Sequence, residues 1–302
     1  MMGFSLRSED IELPQGAWAA GTRTLLLWGG KVVLGFTQGA FRPYLFPVFT
    51  PAGFAVTSES PADHPHHHSI WVGADHVDLH VPAQHRTEVY SYNFYVNDVF
   101  QGRAPGRILQ TDFQGREQGD AMVLTQQLQW RGPREWGAPD GRHVLNELRQ
   151  TRVRHLGAFK AFQIEMRSHI TAATHAVSVG PTRHAWFNAR VGPGMSEVHG
   201  GTSRSASTSH SGNQLPWHVC TGSVGADHRA GVALTPWPAN GAHDWYVSPW
   251  GVMTANPSLN QALQIPPDGR GLILGARALV FDGELSDTDI EQALADASPH
   301  KG

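Results

Sequence analysis

Short runs in which hydrophobic and polar residues alternate recur along the whole chain, separated by glycine, proline, asparagine and aspartate. Two such runs, residues 24–28 and 31–36, flank Gly29-Gly30, a pair that is typical of a two-residue β-hairpin. Further along, four runs follow one another regularly, at residues 107–113, 121–130, 144–155 and 159–170. Alternation with a period of two indicates half-buried strands, so the pattern predicts a β-meander in an antiparallel β protein.

The last of these runs also predicts how its two faces differ. One face carries Phe162, Ile164 and Met166, with Ser168 beside them, and we expect it to face a core. The opposite face carries polar side chains: Lys160, Gln163, Glu165, Arg167 and His169. We expect this second face to be wet or to line a polar groove.

Three prolines constrain the segment from residue 41 to residue 50. Pro43 and Pro47 lie within it and Pro51 follows directly. Because proline cannot donate a hydrogen bond to a neighbouring strand, it is rare in the middle of a sheet. The segment is therefore predicted to be extended but not to be a central strand.

Two further segments interrupt the strand pattern. Residues 192–216 consist largely of glycine, serine, threonine and asparagine, and so long a loop inside a compact domain is usually functional or disordered. Near the C-terminus, Ser286 is a suitable N-cap with Asp289 three residues later. Hydrophobic residues with helical spacing follow it, namely Ile290, Ala293, Leu294 and Ala297. One short helix is predicted near residues 286–297.

The chain as a whole is predicted to be all-β, a single large antiparallel β-sandwich domain over residues 1–302 with one short C-terminal helix. A chain of this length buries enough surface to need no disulfide. Its single cysteine, Cys220, forbids an intramolecular disulfide and lies in a strand-like run, so we expect it to be buried rather than nucleophilic.

Composition and charge exclude several classes of function. The net charge is -3 and only 16% of residues are charged, so no basic field that would attract nucleic acid or an anionic membrane is present. No run of about 18 apolar residues could span a bilayer, and the first ten residues have no signal-peptide pattern. We expect a cytoplasmic protein without a nucleotide cofactor, since phosphate-cradling and dinucleotide motifs are missing, and exposed sheet edges favour a homodimer.

The histidines indicate where function should be sought, because 18 are present and many are clustered. The segment Asp63-His64-Pro65-His66-His67-His68 is predicted to be the functional site, at the end of a strand. Pro65 biases His64 towards extended geometry. In an extended segment His64, His66 and His68 would then point one way and His67 the other.

Clustered imidazoles suit general acid/base chemistry or metal binding, since they titrate near neutral pH and are neutral ligands otherwise. Asp63 is placed to orient one of them. If a divalent metal such as zinc, iron or copper is bound, the candidate ligands are His64, His66 and His68, although no strict zinc spacing is visible. The alternative is that these histidines cap strand ends and bond to backbone carbonyls.

A second group of candidates lies between residues 183 and 199. His184, Trp186 and Asn188 would share one face of a strand that ends at Gly192, where they suit a polar substrate. Glu197 and His199 follow at the mouth of the loop and could form a carboxylate–imidazole pair. The alternative is an amphipathic strand with a solvated face.

Arg42, near Tyr44, is a further candidate anchor for an anionic or polyhydroxy ligand. A pocket wall of tryptophans is one interpretation of the C-terminal third, with Trp217, Trp237, Trp245 and Trp250. Tryptophan in a β core is at least as common, so both interpretations stay open.

Several motifs resemble those of a bacterial family of unknown function that is usually labelled "methane oxygenase PmoA". They are Arg42-Pro43-Tyr44-Leu45-Phe46-Pro47, Thr50-Pro51-Ala52-Gly53 and Asp63 through Trp71, with weaker matches to about residue 285. The resemblance implies a fold like the large sandwiches of aldose mutarotases and a carbohydrate-like substrate. It matches His64 and His67, whereas His68-Ser69 stands where the commoner pattern has Arg-Gly. The oxygenase label does not carry over, because the membrane enzyme of that name spans the bilayer.

The sequence therefore predicts an enzyme that uses histidine acid/base chemistry, alone or with a metal, on a small polar cyclic or carbohydrate-like compound, by hydrolysis, ring opening or isomerisation. The proton-transfer residues would be His64, His67 and His184. The substrate-binding residues would be Arg42, Tyr44, His68, Trp71, Asn188, Arg190, Glu197, His199, Trp217 and Trp245. A non-catalytic carbohydrate-binding module and a histidine-ligated metal-dependent oxygenase are the alternatives.

Overall fold

The structure is a computed structural model that describes residues 3–11, 19–206, 215–237, 240–241 and 243–295. Twenty-one strands and one α-helix are formed within these ranges. They are β1 Phe4–Asp10, β2 Ala19–Trp28, β3 Lys31–Gly39, β4 Pro43–Val48, β5 Ile70–Ala74, β6 Val77–Pro82, β7 Thr87–Asn93, β8 Ala104–Pro105, β9 Arg107–Gln118, β10 Ala121–Arg131, β11 His143–Leu156, β12 Ala161–Ala172, β13 Ala176–Val179, β14 Ala185–Arg190, β15 Thr202–Ser205, β16 His218–Ser223, β17 Arg229–Pro236, β18 Asp244–Val247, β19 Val252–Asn256, β20 Leu263–Ile265, β21 Leu272–Asp282 and α1 Asp287–Ala295.

Two eight-stranded sheets pack face to face and enclose the main core. Sheet one has the order β1-β2-β3-β4-β5-β14-β19-β18, and sheet two has the order β15-β16-β17-β21-β12-β11-β10-β9. Trp130 of β10 stacks on Trp186 of β14 with ring centroids 5.2 Å apart, so aromatic side chains join the two layers. A five-stranded sheet, β20-β13-β6-β7-β8, flanks them. Among the described strands only the β7–β8 pair is parallel, which confirms the predicted all-β antiparallel sandwich.

The hairpin and the meander formed as predicted. Gly29 and Gly30 have φ angles of 56° and 80°, the left-handed conformation that a two-residue hairpin requires. Strands β9, β10, β11 and β12 pair consecutively and antiparallel. Cys220 is buried within β16, also as predicted.

The prediction for the proline-rich segment is wrong, because β4 is a central strand. It lies between β3 and β5 in sheet one. Its prolines are tolerated because its pairing with β5 covers only Tyr44 and Leu45, and because the register with β3 shifts between Leu34 and Phe36. Pro43 and Pro47 therefore avoid positions where an N–H donor is needed.

The prediction for the polar face of β12 is wrong in part, because some of its residues are buried away from water. Helix α1 covers Gln163 and Glu165, which are both buried. Gln163 donates to the carbonyl of Ala293 in the helix at 2.6 Å, and Arg277 bridges Glu165 and the carbonyl of Leu294. These hydrogen bonds compensate for the lost hydration, so a polar face packs beneath a helix.

The helix itself begins as predicted. Ser286 Oγ accepts from the amide of Asp289 at 3.2 Å, and the Asp289 carboxylate accepts from the amide of Ser286 at 3.1 Å. This reciprocal pair is a capping box. The predicted position Ala297 lies outside the described residues, as do residues 207–214 of the predicted loop. Among the residues that the structure covers, no helix is long and apolar enough to cross a membrane.

Candidate functional site

The histidine-rich segment is a pair of tight turns between β4 and β5, so the predicted strand end is wrong. The amide of His64 donates to the carbonyl of Pro61 at 3.0 Å, and the amide of His67 donates to the carbonyl of His64 at 2.9 Å. Pro65 occupies the second position of the latter turn, where its fixed φ is favourable. Because the chain turns here, the predicted alternation of side chains does not occur.

The turns bring His64 and His67 together rather than apart. Their rings stack 4.7 Å apart, and Trp250 covers the His64 ring at 5.3 Å. His68 points elsewhere and stacks on Tyr44 at 4.7 Å. Its two ring nitrogens lie 3.2 Å from Ser60 Oγ and 3.3 Å from Asn97 Nδ2, so both have partners.

A cavity of about 440 Å³ opens beside these turns. Three imidazoles line it, those of His64, His66 and His184, although His184 is distant in sequence. The remaining lining residues are Pro65, Val96, Asn97, Asp98, Val99, Phe100 and Arg183. The cavity combines an apolar part with convergent polar groups, as small-molecule sites do.

Two of the three imidazoles lie beside carboxylates, one of them within hydrogen-bond distance. His64 Nδ1 lies 2.9 Å from Asp63 Oδ2, so His64 donates through Nδ1 and keeps Nε2 as an acceptor. His184 Nδ1 lies 3.8 Å from Asp75 Oδ2, while Arg183 Nε donates to His184 Nε2 at 3.2 Å. The same tautomer is therefore favoured in both rings. The two pairs, Asp63–His64 and Asp75–His184, are called the dyads below.

Both dyad carboxylates are held in the ionised form. Burial opposes ionisation of Asp75, but hydrogen bonds from His184, Arg103 and the amide of His76 outweigh it and lower its pKa to about 2. For Asp63, burial is likewise outweighed by hydrogen bonds from His64 and Arg190, and its pKa is lowered. Each carboxylate is therefore negatively charged at neutral pH and favours an Nδ1–H on the imidazole beside it.

His66 lines the same cavity and stays neutral. Burial, followed by the positive charge of Arg42, lowers the pKa of His66 to about 4. At neutral pH its ring can donate one hydrogen bond and accept another, but it carries no charge. It is therefore suited to bind a polar group.

A buried polar layer supports the cavity wall. Arg190 binds both oxygens of Asp63, at 2.8 and 3.1 Å, and its Nη1 lies 3.4 Å from His67 Nδ1. His67 is only 4% exposed and stacks between His64 and Trp71. The structure therefore places His67, predicted to transfer protons, behind His64 rather than on the cavity surface.

The other predicted residues divide into two groups. Arg42, Tyr44, His68 and Trp71 are buried beneath the cavity; Tyr44 donates to Glu59. Asn188 is fully buried and bonds to Thr254 Oγ1 and the carbonyl of Trp186, so it fixes the sheet. Four residues lie apart from the cavity lining: Glu197, His199, Trp217 and Trp245.

Three of these four have local contacts of their own. His199 Nδ1 lies 2.9 Å from Ser196 Oγ, so the described hydrogen bonds do not join it to Glu197. Trp217 packs in the core beneath α1. Trp245 Nε1 donates to the carbonyl of Leu215 at 2.7 Å. Of the predicted tryptophan wall, Trp250 alone reaches the site, through its stacking on His64.

The cavity also contains residues that sequence reasoning missed. They are Asn97, Asp98, Val99 and Phe100, which follow β7 along the chain. One signal was available, because an Asn-Asp pair followed an aromatic-rich strand and marked a turn. Asp75 and Arg183, each next to a histidine in sequence, were missed because nothing local shows which imidazole they face.

The three candidate metal ligands do not converge. His68 has both ring nitrogens occupied and His64 uses Nδ1 for Asp63. Across the described ranges, no group of three or more histidine, cysteine, aspartate or glutamate side chains is arranged to hold a metal ion. The donor set of this cavity therefore does not fit a three-ligand metal centre.

The buried histidines predict acid-sensitive stability. Burial is also the main cause that lowers the pKa values of His67 and His68. The unfolded chain binds these protons below a pH of about 6.5, whereas folded His66 resists protonation until about pH 4. The free energy of unfolding should therefore be highest above a pH of about 6.5 and should fall as the pH drops from there to about 4.

We expect His66 to account for about 1–2 kcal/mol of the unfolding free energy that is lost on acidification, after allowance for its partial exposure. Urea unfolding at pH 7 and pH 4.5 measures the difference, which should be smaller in a His66→Gln variant than in the wild-type protein. An exposed histidine, His85, provides the control: His85→Gln should leave the difference unchanged. Equal pH dependence in all three proteins would contradict the expectation.

Comparison with known proteins identifies the family. The model of a family of unknown function (DUF6807) matches residues 23–295. Comparison with functionally curated proteins gives no match. Similar solved structures include a galactose 1-epimerase from Lactobacillus acidophilus NCFM, with 10% identity, a TM-score of 0.38 and coverage of 94% of this chain and 100% of that one.

A second similar structure is the Slr1438 protein from Synechocystis sp. PCC 6803, with 10% identity, a TM-score of 0.34 and coverage of 91% of this chain and 98% of that one. The family match names no activity, and the methane oxygenase label is not part of it. Because the match covers nearly the whole chain, this protein belongs to the DUF6807 family of unknown function.

Proposed function

We propose that this protein is an enzyme that transfers protons on a small polar cyclic compound bound between His64 and His184. The observation that supports this is the presence of two imidazoles, each beside an ionised carboxylate, on one cavity of about 440 Å³. Two proton-transfer groups on one ligand are what hydrolysis, ring opening and isomerisation have in common.

The dyads suit this chemistry because of their tautomer. Asp63 accepts a hydrogen bond from His64 Nδ1 and Asp75 lies 3.8 Å from His184 Nδ1, so each ring would accept a proton at Nε2, and the neighbouring carboxylate would stabilise the imidazolium that results. One dyad would remove a proton from the ligand or a water while the other, protonated, returns one. His184 Nε2 is contacted by Arg183, which is exposed and would move aside for a ligand oxygen.

The rest of the cavity suits a compact ring. Its volume lies within the range of about 300–1,000 Å³ that is usual for small-molecule sites. Val96, Val99 and Phe100 offer apolar surface to a ring face, and Asn97 and His66 offer hydrogen bonds to hydroxyl groups. A carbohydrate-like compound presents both kinds of surface.

The test is a panel of aldoses, uronic acids, cyclitols and sugar lactones, followed by proton NMR in D₂O. Ring opening, isomerisation, hydrolysis and solvent exchange of C–H protons are all visible in such spectra. We expect turnover of at least one compound, lowered about 100-fold in His64→Gln, near the lower end of general acid/base effects. His85→Gln is the matched control, since His85 is exposed and lies outside the cavity.

Two results would contradict the proposal. One is turnover that His64→Gln leaves unchanged. The other is tight binding of a panel compound at the cavity without any turnover, which would favour a non-catalytic carbohydrate-binding module.

A further inference from the structure

The buried arginines of this protein differ in one respect that bears on the ligand. Four arginines are buried among the described residues, namely Arg42, Arg149, Arg154 and Arg190. Three of them pair with a carboxylate: Arg149 with Glu147 at 2.7 Å, Arg154 with Asp120 at 2.9 Å and Arg190 with Asp63 at 2.8 Å. Within the described part of the chain, Arg42 has neutral partners alone.

Those partners lie in the wall of the cavity. Arg42 Nη1 donates to the carbonyl of His66 at 3.2 Å, and Nη2 donates to Asn97 Oδ1 at 2.8 Å and to the carbonyl of Val96 at 3.0 Å. Its Nε is buried and, among the described residues, has no hydrogen-bond partner. Arg42 is 1% exposed, so it stands directly behind the residues that a ligand would touch.

A buried charge without a counter-ion is costly. Burial lowers the pKa of Arg42 to about 10, so its guanidinium still carries a positive charge at neutral pH. Buried charges in proteins are normally paired, because the interior compensates poorly for lost hydration. The exception at Arg42 indicates that its counter-charge is supplied from the cavity.

The charges that face the cavity agree with this. Arg183 lines it, and its guanidinium contacts the rings of His184 and Tyr246, with no described carboxylate as a partner. Asp98 is the one carboxylate among the described residues of the lining. The dyad carboxylates are already engaged, Asp63 by Arg190 and Asp75 by Arg103 at 2.8 Å. The two positive charges of Arg42 and Arg183 therefore exceed the single negative charge of Asp98 by one.

We infer that the ligand of this cavity is a carboxylate, such as a sugar acid or a cyclic hydroxy acid, held by Arg183 and stabilised through the wall by Arg42. This inference rests on the site of the proposed function and names its substrate class. A guanidinium binds a carboxylate with two parallel hydrogen bonds, and Arg183 has the donors to do so. Arg42 would act by its charge, which is weakly screened because it is buried.

Isothermal titration calorimetry on the full chain tests the inference with matched pairs, galacturonate against galactose and glucuronate against glucose, and acetate against acetamide as the smallest pair. We expect the carboxylate to bind at least about tenfold more tightly than its neutral partner in at least one pair. Arg183→Gln should remove most of that preference. Asp98→Asn should strengthen carboxylate binding several-fold, since it removes the opposing charge.

The outcomes separate this inference from the proposed function. Equal or tighter binding of the neutral partner in every pair, or no carboxylate binding at all, overturns the inference. Turnover of neutral sugars alone would do the same while the proposed function survives. Carboxylate preference that depends on Arg183, without turnover of any bound compound, supports the inference and contradicts the proposed function. Circular dichroism checks that Arg183→Gln and Asp98→Asn, both in the cavity lining, stay folded.

Discussion

A variant in which both cavity imidazoles are replaced, His64→Gln with His184→Gln, will turn over its substrate at least about 10⁴-fold more slowly than the wild-type protein. Each general acid or base contributes about 10²–10⁴-fold to a reaction rate. The structure gives each ring its own carboxylate, Asp63 or Asp75, so neither can replace the other without losing orientation. Glutamine keeps hydrogen-bonding capacity but cannot carry the proton.

The effect should fall on kcat rather than on KM, because the ligand would still contact His66, Asn97 and Phe100. Rates are measured by the NMR assay on whichever panel compound the wild-type protein converts. His85→Gln combined with His175→Gln, two histidines outside the cavity lining, is the matched double control. A double cavity variant that keeps a tenth of the wild-type rate would contradict the assignment of the dyads.

The fold could largely be predicted because its signals are local. Alternation in residues 107–170 is a property of neighbouring residues, and the meander β9 to β12 followed from it. The central place of β4 could not be predicted, since it depends on which edges β3 and β5 present to it. The packing of α1 over Gln163 and Glu165 could not be predicted either, because that contact joins residues about 130 positions apart.

The candidate site was predicted in part for a similar reason. The histidine cluster was visible as a local excess, and His64, His66 and His184 do line one cavity. The direction of each ring was not predictable, because two turns replaced the expected extended backbone. His67 illustrates the consequence: its match to a family motif is consistent with a buried partner of Arg190 as well as with a proton-transfer group.

Arg42 and Tyr44 also show that the sequence does not reveal where a side chain lies relative to the cavity. Both were predicted to contact the ligand, and both are buried beneath the cavity. A sequence records that a charged residue is present but not whether a carboxylate accompanies it. The contrast between Arg42 and the three paired arginines emerges only when strands from distant parts of the chain are brought together.

The largest change in stability should come from Glu147, which lies at the centre of a buried polar cluster in sheet two. Its carboxylate accepts from Arg149 Nε at 2.7 Å and Nη2 at 2.9 Å, from Trp130 Nε1 at 2.8 Å and from Ser168. Glu147 and Arg149 are almost completely buried. Glu147→Ala leaves the charge of Arg149 without a partner, and breaking a buried pair in this way costs about 3–5 kcal/mol.

Urea unfolding measures this loss, and two further variants show its cause. Glu147→Leu with Arg149→Met removes both charges and should recover most of the stability, because the cost lies in the uncompensated charge rather than in the missing bond. Glu284→Ala breaks the exposed pair with Arg229 and should change stability by less than about 1 kcal/mol. If the double variant were as unstable as Glu147→Ala, packing rather than charge would be responsible.

The same cluster should affect the cavity, because Trp130 connects them. Glu147 fixes the Trp130 indole, and Trp130 stacks on Trp186, two residues after His184. In Glu147→Ala the ring of Trp130 loses its hydrogen bond, so the position of β14 is less well determined. Ligand binding at the cavity should therefore weaken in Glu147→Ala even under conditions where the variant is fully folded, and should stay weak in the double variant, since its leucine cannot accept from Trp130 either. Unchanged binding in folded Glu147→Ala would show that β14 is held by sheet one alone.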